Sequence, residues 1–240
     1  MEWSDQALII GVEKYNEESA VMSCLTAKRG LCRGFIKSVK NKNNQKAIFI
    51  GNIVQLSWSA RLEQHLGSWR ILSHESLTPY FYHDRKKLAV VSSICALINS
   101  ILAEQEAHDR LFEEVVKFLH AIKHDDDWLR KLVFLEMTLL GYIGCGLDLS
   151  ECAVSKEQEN LVYISPSTGR AVSKEAGRTY HDKLFLLPQF LISDDQTKPS
   201  LAELLYALNV TKYFFTKFMK AQKNLSIPKI RIMLEDILKE

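Results

Sequence analysis

Val54-Gln55-Leu56-Ser57-Trp58-Ser59-Ala60-Arg61 alternates apolar and polar residues without a break. A period of two puts Val54, Leu56, Trp58 and Ala60 on one face and Gln55, Ser57, Ser59 and Arg61 on the other, so the segment reads as a strand with one buried face. Upstream, Ala7–Val12 and Ala20–Thr26 are short β-compatible runs separated by the polar cluster Asn16-Glu17-Glu18. Lys28-Arg29-Gly30 ends the second run, because glycine allows the angles a tight turn needs. Leu31–Val39 reads as a third strand, broken at Gly34 by a bulge or bend. Downstream, the turn Leu66-Gly67-Ser68 leads into a fifth strand, Trp69–Leu72.

Five short antiparallel strands in some seventy residues predict a closed barrel of the five-stranded oligonucleotide-binding (OB) type over residues 1–78. After Pro79 the period becomes helical. Leu88, Val91, Cys95, Ile98 and Leu102 form one stripe, and Leu111, Phe112, Val115, Val116, Leu119 and Ile122 form a second. Asp125, Asp126 and Asp127 open a third helix from Trp128 to about Leu140, stopped near Gly141 and Gly144. The region 146–192 is irregular, with a short strand at Leu161–Ile164. Helices return over Ser200–Leu208, Thr211–Gln222 and after Pro228. The expected fold class is therefore α+β, with the barrel (1–78) followed by an α-helical bundle (79–240).

Charge is segregated although the chain is nearly balanced, at +2 over 240 residues. Lys28, Arg29, Arg33, Lys37, Lys40, Lys42 and Lys46 occupy a window with no acidic residue between Glu18 and Glu63. Clustered cations neutralise phosphates and release counterions, so these seven and Arg61 are the candidate DNA-binding residues; a solvated basic loop is the alternative. Trp58 reads as a core residue rather than a platform for a base. A second acid-free window, Glu203 to Glu235, holds Lys212, Lys217, Lys220 and Lys223 among Tyr213, Phe214, Phe215 and Phe218. Its aromatics read as core, and Lys212, Lys217 and Lys220 as the rim of a groove for an acidic partner.

Familiar catalytic patterns are missing. Leu149 stands where a dinucleotide fingerprint needs its third glycine after Gly144 and Gly146, and no Walker-type Gly-Lys-Ser/Thr occurs. His120 and His124 share a helix face beside three aspartates but lack the glutamate of a metallohydrolase helix, so no metal or catalytic residue is assigned. The odd, scattered set of five cysteines reads as reduced thiols. Glu2, Trp3 and Asp5 do not begin a signal peptide, and the longest apolar run is interrupted by serines and asparagine. A cytoplasmic protein with no membrane partner is expected.

Met1-Glu2-Trp3, Ala60-Arg61-Leu62-Glu63-Gln64-His65-Leu66-Gly67 and Leu140-Gly141-Tyr142-Ile143-Gly144-Cys145-Gly146-Leu147-Asp148-Leu149-Ser150-Glu151-Cys152 resemble the bacterial recombination protein O (RecO) family in its alphaproteobacterial form. So do Leu161-Val162-Tyr163-Ile164-Ser165-Pro166, Gly169-Arg170-Ala171-Val172-Ser173 and Leu187-Pro188-Gln189-Phe190-Leu191. The resemblance implies a non-enzymatic, nucleoid-associated mediator of the RecFOR DNA repair pathway. Such a protein binds single- and double-stranded DNA and anneals strands. It contacts RecR and the acidic tail of single-stranded DNA-binding protein, and helps to load RecA, with RecF a further partner. Some members carry a four-cysteine zinc module. Here Cys152 matches its first ligand, Ser155 stands for the second, and Ser173 and Ala176 stand for the other pair, so a zinc-free insertion without cofactor is expected. Two other readings stay open: an adaptor for single-stranded DNA-binding protein, and an RNA-binding OB protein.

Overall fold

The computed structural model describes residues 1–62, 65–108, 110–193, 198–222 and 225–240. Its strands are β1 (Glu2–Lys14), β2 (Ser19–Thr26), β3 (Gly30–Lys37), β4 (Ile53–Ser59), β5 (Ser68–Glu75), β6 (Leu161–Ile164), β7 (Ala171–Ser173) and β8 (Phe185–Leu186). The helices are α1 (Lys42–Ala47), α2 (Arg85–Ile101), α3 (Leu111–His124), α4 (Trp128–Tyr142), α5 (Lys174–Gly177), α6 (Leu201–Ala221) and α7 (Lys229–Lys239).

β1 to β5 close on themselves in the order β1-β2-β3-β5-β4, with β4 returning to β1 and only the β3–β5 pair parallel. This ring, with α1 between β3 and β4, is the expected OB barrel. Its interior is filled by Ala7, Ile9, Ala20, Met22, Cys24, Cys32, Ile36, Val54, Leu56, Trp58 and Trp69. Leu8 and Ile10 on the opposite face of β1 are buried too. Both faces are covered because α2 and α3 pack on β1 outside the barrel, so β1 reads as a continuous apolar run rather than an alternation.

Gly34 causes no bulge. Its pairing with Met22 is in unbroken register, and the irregularities fall instead between Ile9 and Gly11 and between Gln55 and Leu56. Glycine is required at Gly34 because a Cβ there would lie 2.8 Å from the Trp69 indole, whose Nε1 donates to Met22 O across the barrel (2.9 Å). α1, within the basic window, has no apolar stripe to betray it and buries only Ala47. The Asn41 side chain caps it, and the fully buried Asn52 donates to Ala47 O while accepting from Leu77 and Thr78 N–H.

The chain packs as two units, Met1–Trp128 with Pro228–Glu240, and Leu129–Ile227. In the first, α7 lies along α2, and its Arg231, fully buried, is paired with Glu235 at 2.7 Å. The change from strand to helix near residue 78 therefore does not coincide with a division in packing. In the second unit, α6 is one 21-residue helix where two were expected. Asn209 and Thr211 turn their polar atoms back to the carbonyls of Leu205 and Leu208, so the helix runs through the polar interruption. The capping box of Ser200 and Glu203 starts it. Phe214 and Phe215 are buried as expected, and Tyr213 is exposed.

The irregular region is organised around Cys152. Its buried sulfur accepts hydrogen bonds from Ser155 N (3.5 Å) and Ser173 N (3.2 Å), and Arg170 bridges Asp148 and Glu151 beside it. Burial by itself would raise this thiol, but the hydrogen bonds from Ser155 and Ser173 outweigh it and bring the pKa down to about 6. The unfolded thiol titrates near 9, so the unfolded chain binds more protons between these values. The thiolate's contribution to stability is complete above pH 9 and is lost as pH falls through 6. Thermal unfolding of wild type should gain on that of Cys152→Ser as pH rises from 6 to 9. Parallel curves would disprove the anionic sulfur.

Candidate nucleic-acid interface

Aromatic and cationic side chains meet where β1 begins beside the β2–β3 turn. Trp3 stacks on Trp58 with ring centres 5.6 Å apart and planes 21° apart, and meets Trp69 edge-on at the same distance. Trp58 is the buried member, its Nε1 donating to Leu66 O, whereas Trp3 is half-buried. The Arg29 guanidinium sits 4.8 Å from the Trp3 ring centre, so indole, indole and guanidinium form successive layers. A hollow of about 220 Å³ opens here, lined by Trp3, Lys28, Arg29, Arg33, Trp58 and Gln105, among others.

The turn is built locally. Thr26 Oγ1 donates to Gly30 O and accepts from Arg29 N, while the buried Asp5 carboxylate accepts from Gln6 N and Lys28 N. Asp5 is thus committed to main-chain donors, and its charge also explains why the strand character of residues 2–6 was missed: a carboxylate stands at a core-facing position.

The eight candidate DNA-binding residues fall in three places. Lys28, Arg29 and Arg33 surround the hollow. Lys37 ends β3, four residues and about 13 Å along the strand beyond Arg33, with Lys40 and the α1 residues Lys42 and Lys46 beyond it. Arg61 lines a separate depression of about 500 Å³ with Phe35, His65 and Gly67. All are exposed except the half-buried Arg33. Two already meet carboxylates: Lys40 pairs with Glu17 at 2.8 Å, and Arg33 Nε lies 3.3 Å from Glu104 but is not aligned for a hydrogen bond. Among the described residues, the other six, Lys28, Arg29, Lys37, Lys42, Lys46 and Arg61, show no carboxylate partner, and Arg29 lies over the Trp3 ring. Trp3 and Gln105 were not singled out as site residues; Gln105 reaches the hollow only because the 104–107 segment packs on the β2–β3 turn.

Of the candidate partner residues on α6, Lys217 is occupied, its Nζ donating to the carbonyls of Pro166 and Ser167. Lys212 is half-buried and Lys220 exposed at the last turn; Lys223 lies outside the described residues. His120 and His124 do not converge: one faces Glu75 at 3.9 Å and the other the Tyr80 ring.

The family model for the N-terminal part of recombination protein O matches residues 1–77, and that for the C-terminal part matches residues 82–216. The chain belongs to the recombination protein O family. Its curated relatives include a protein named DNA repair protein RecO in Wolbachia pipientis of Culex pipiens, 36% identical over 96% of this chain and 97% of its own. Proteins of the same name in Ehrlichia chaffeensis and in Orientia tsutsugamushi (strain Ikeda) are 35% and 32% identical, over 100% and 99% of this chain and 98% of theirs. The alphaproteobacterial resemblance is thus shown along the whole length.

The zinc module of some RecO family members does not fit the residues present here. Ser155 Oγ donates to Glu157, Ser173 Oγ accepts from Ala176 N, and Ala176 brings no donor, leaving one sulfur where zinc requires four ligands. Among the described residues no other cluster could hold a metal, and no helix is long and apolar enough to cross a membrane.

Proposed function

We propose that this RecO family member is a non-enzymatic DNA-binding mediator of recombinational repair. It binds single- and double-stranded DNA and anneals complementary strands. It acts with RecR and single-stranded DNA-binding protein to help load RecA, in the cytoplasm and on the nucleoid. The observation that carries this reading is the set of exposed cations without carboxylate partners on an OB barrel, two of which, Lys28 and Arg29, lie beside a stacked aromatic pair. The relatives' name, DNA repair protein RecO, supports the biological setting.

Annealing needs phosphate neutralisation without base readout, because two screened backbones must approach each other. Lys220 on α6 is the exposed cation for the acidic tail of single-stranded DNA-binding protein. A strand-annealing assay with and without that protein, repeated across a salt series, tests the reading. Annealing should fall steeply as salt rises, and a salt-independent rate would refute it.

A further inference from the structure

We infer that the hollow between Trp3, Arg29 and Arg33 takes an unstacked base of single-stranded DNA, with the adjoining phosphate held by Lys28 and Arg29. The inference rests on the DNA-binding reading and deepens it: phosphate contacts alone would treat single strand and duplex alike, whereas this site selects a base that is free to leave a stack.

Four features of the hollow support it. Its lining includes the stacked Trp58 and Trp3 rings. The outermost layer of that stack is the exposed Arg29 guanidinium, a planar cation on which a base can stack while its charge faces a phosphate. Two carboxylates stand close by: Asp5, bound to backbone N–H groups, and Glu104, beside Arg33. They offset two of the three cations and suit the interior to a neutral ring rather than to a second phosphate. Finally, Gln105 on the wall has φ 60°, a left-handed conformation that a non-glycine residue adopts at a cost and that the 104–107 segment enforces by its hydrogen bond from Gln105 N to Leu31 O (2.8 Å). A carboxamide there supplies both a donor and an acceptor for a base edge.

The test compares labelled oligo(dT), an abasic strand of the same length and a duplex, titrated with the full chain. The variants are Trp3→Leu and, because Trp3 contributes to the barrel end, the exposed substitution Arg29→Lys, which keeps the charge and removes the plane. Wild type should bind oligo(dT) about tenfold more tightly than the abasic strand. Both variants should lose most of that preference, with affinity for oligo(dT) falling further than affinity for the abasic strand. Equal wild-type affinity for oligo(dT) and the abasic strand, or a full preference in Arg29→Lys, overturns the base site while leaving DNA binding intact. Failure of wild type to bind any of the three overturns the DNA-binding reading and the base site with it. Thymidine 5′-monophosphate serves as a competitor: binding as tight as that of oligo(dT) would assign the hollow to a free nucleotide instead of a strand.

Discussion

Gly30→Ala is expected to lower stability by about 2–4 kcal/mol, combining left-handed strain in a non-glycine residue with a displaced segment. Gly30 has φ +67°, and a Cβ built on it would lie 1.8 Å from the backbone carbonyl oxygen of Glu106. No side-chain rotation relieves an overlap with main chain. The 104–107 segment must move away, and the hydrogen bond from Gln105 N to Leu31 O is the first to be lost. In a unit of this size the melting temperature should fall by roughly 5–15 °C. Gly141→Ala is the control, since its Cβ would meet nothing within 4 Å; its melting temperature should hold or rise slightly. Equal melting temperatures for the two variants would contradict the packing of this turn. Because Gln105 and Ala107 line the hollow at Trp3, Gly30→Ala should also weaken oligo(dT) binding in whatever fraction remains folded.

Lys37→Glu, Lys42→Glu and Lys46→Glu together should reduce the dependence of log affinity for single-stranded DNA on log salt from about −4.2 to about −2.1. The first figure takes the six cations without carboxylate partners at ~0.7 per phosphate, and the second removes three of them. Lys40 is left out because Glu17, which also binds Lys14, already holds it. The ammonium groups on Lys42 and Lys46 belong to exposed positions of α1, and Lys37 is the exposed last residue of β3. Folding should therefore change by no more than about 0.5 kcal/mol. Loss of annealing with binding of single-stranded DNA-binding protein intact supports the mediator. An unchanged salt slope would favour the adaptor reading, in which the barrel's cations have no phosphate to neutralise.

Much of the barrel was legible because sheet burial leaves a period-two trace. β4 was recognised from Val54 to Trp58 for that reason, and β6 was read with its actual bounds. β1 was legible only from Ala7, since Asp5 interrupts the pattern on the face it shares with Trp3. The misassigned bulge at Gly34 has a similar origin. A glycine in a strand signals a bend or a close approach, and only the Trp69 ring lying over it identifies which. The single helix α6 was read as two because Asn209 and Thr211 resemble a break, although their side chains bond to carbonyls one turn back.

What the sequence by itself determined is the class of architecture and the family: strand and helix periods are local, and quoted motifs spread along the chain need no coordinates to be compared. It also located the cations. Only the tertiary structure decided how those cations are distributed, because β3 carries Lys37 away from the hollow that Arg33 lines and because Glu17 and Glu104 reach two of them from elsewhere in the chain. The hollow at Trp3 likewise depends on residues 3, 29, 58 and 105 meeting through barrel closure and the packing of the 104–107 segment. Sequence patterns record which face a residue shows; ring closure decides what it faces.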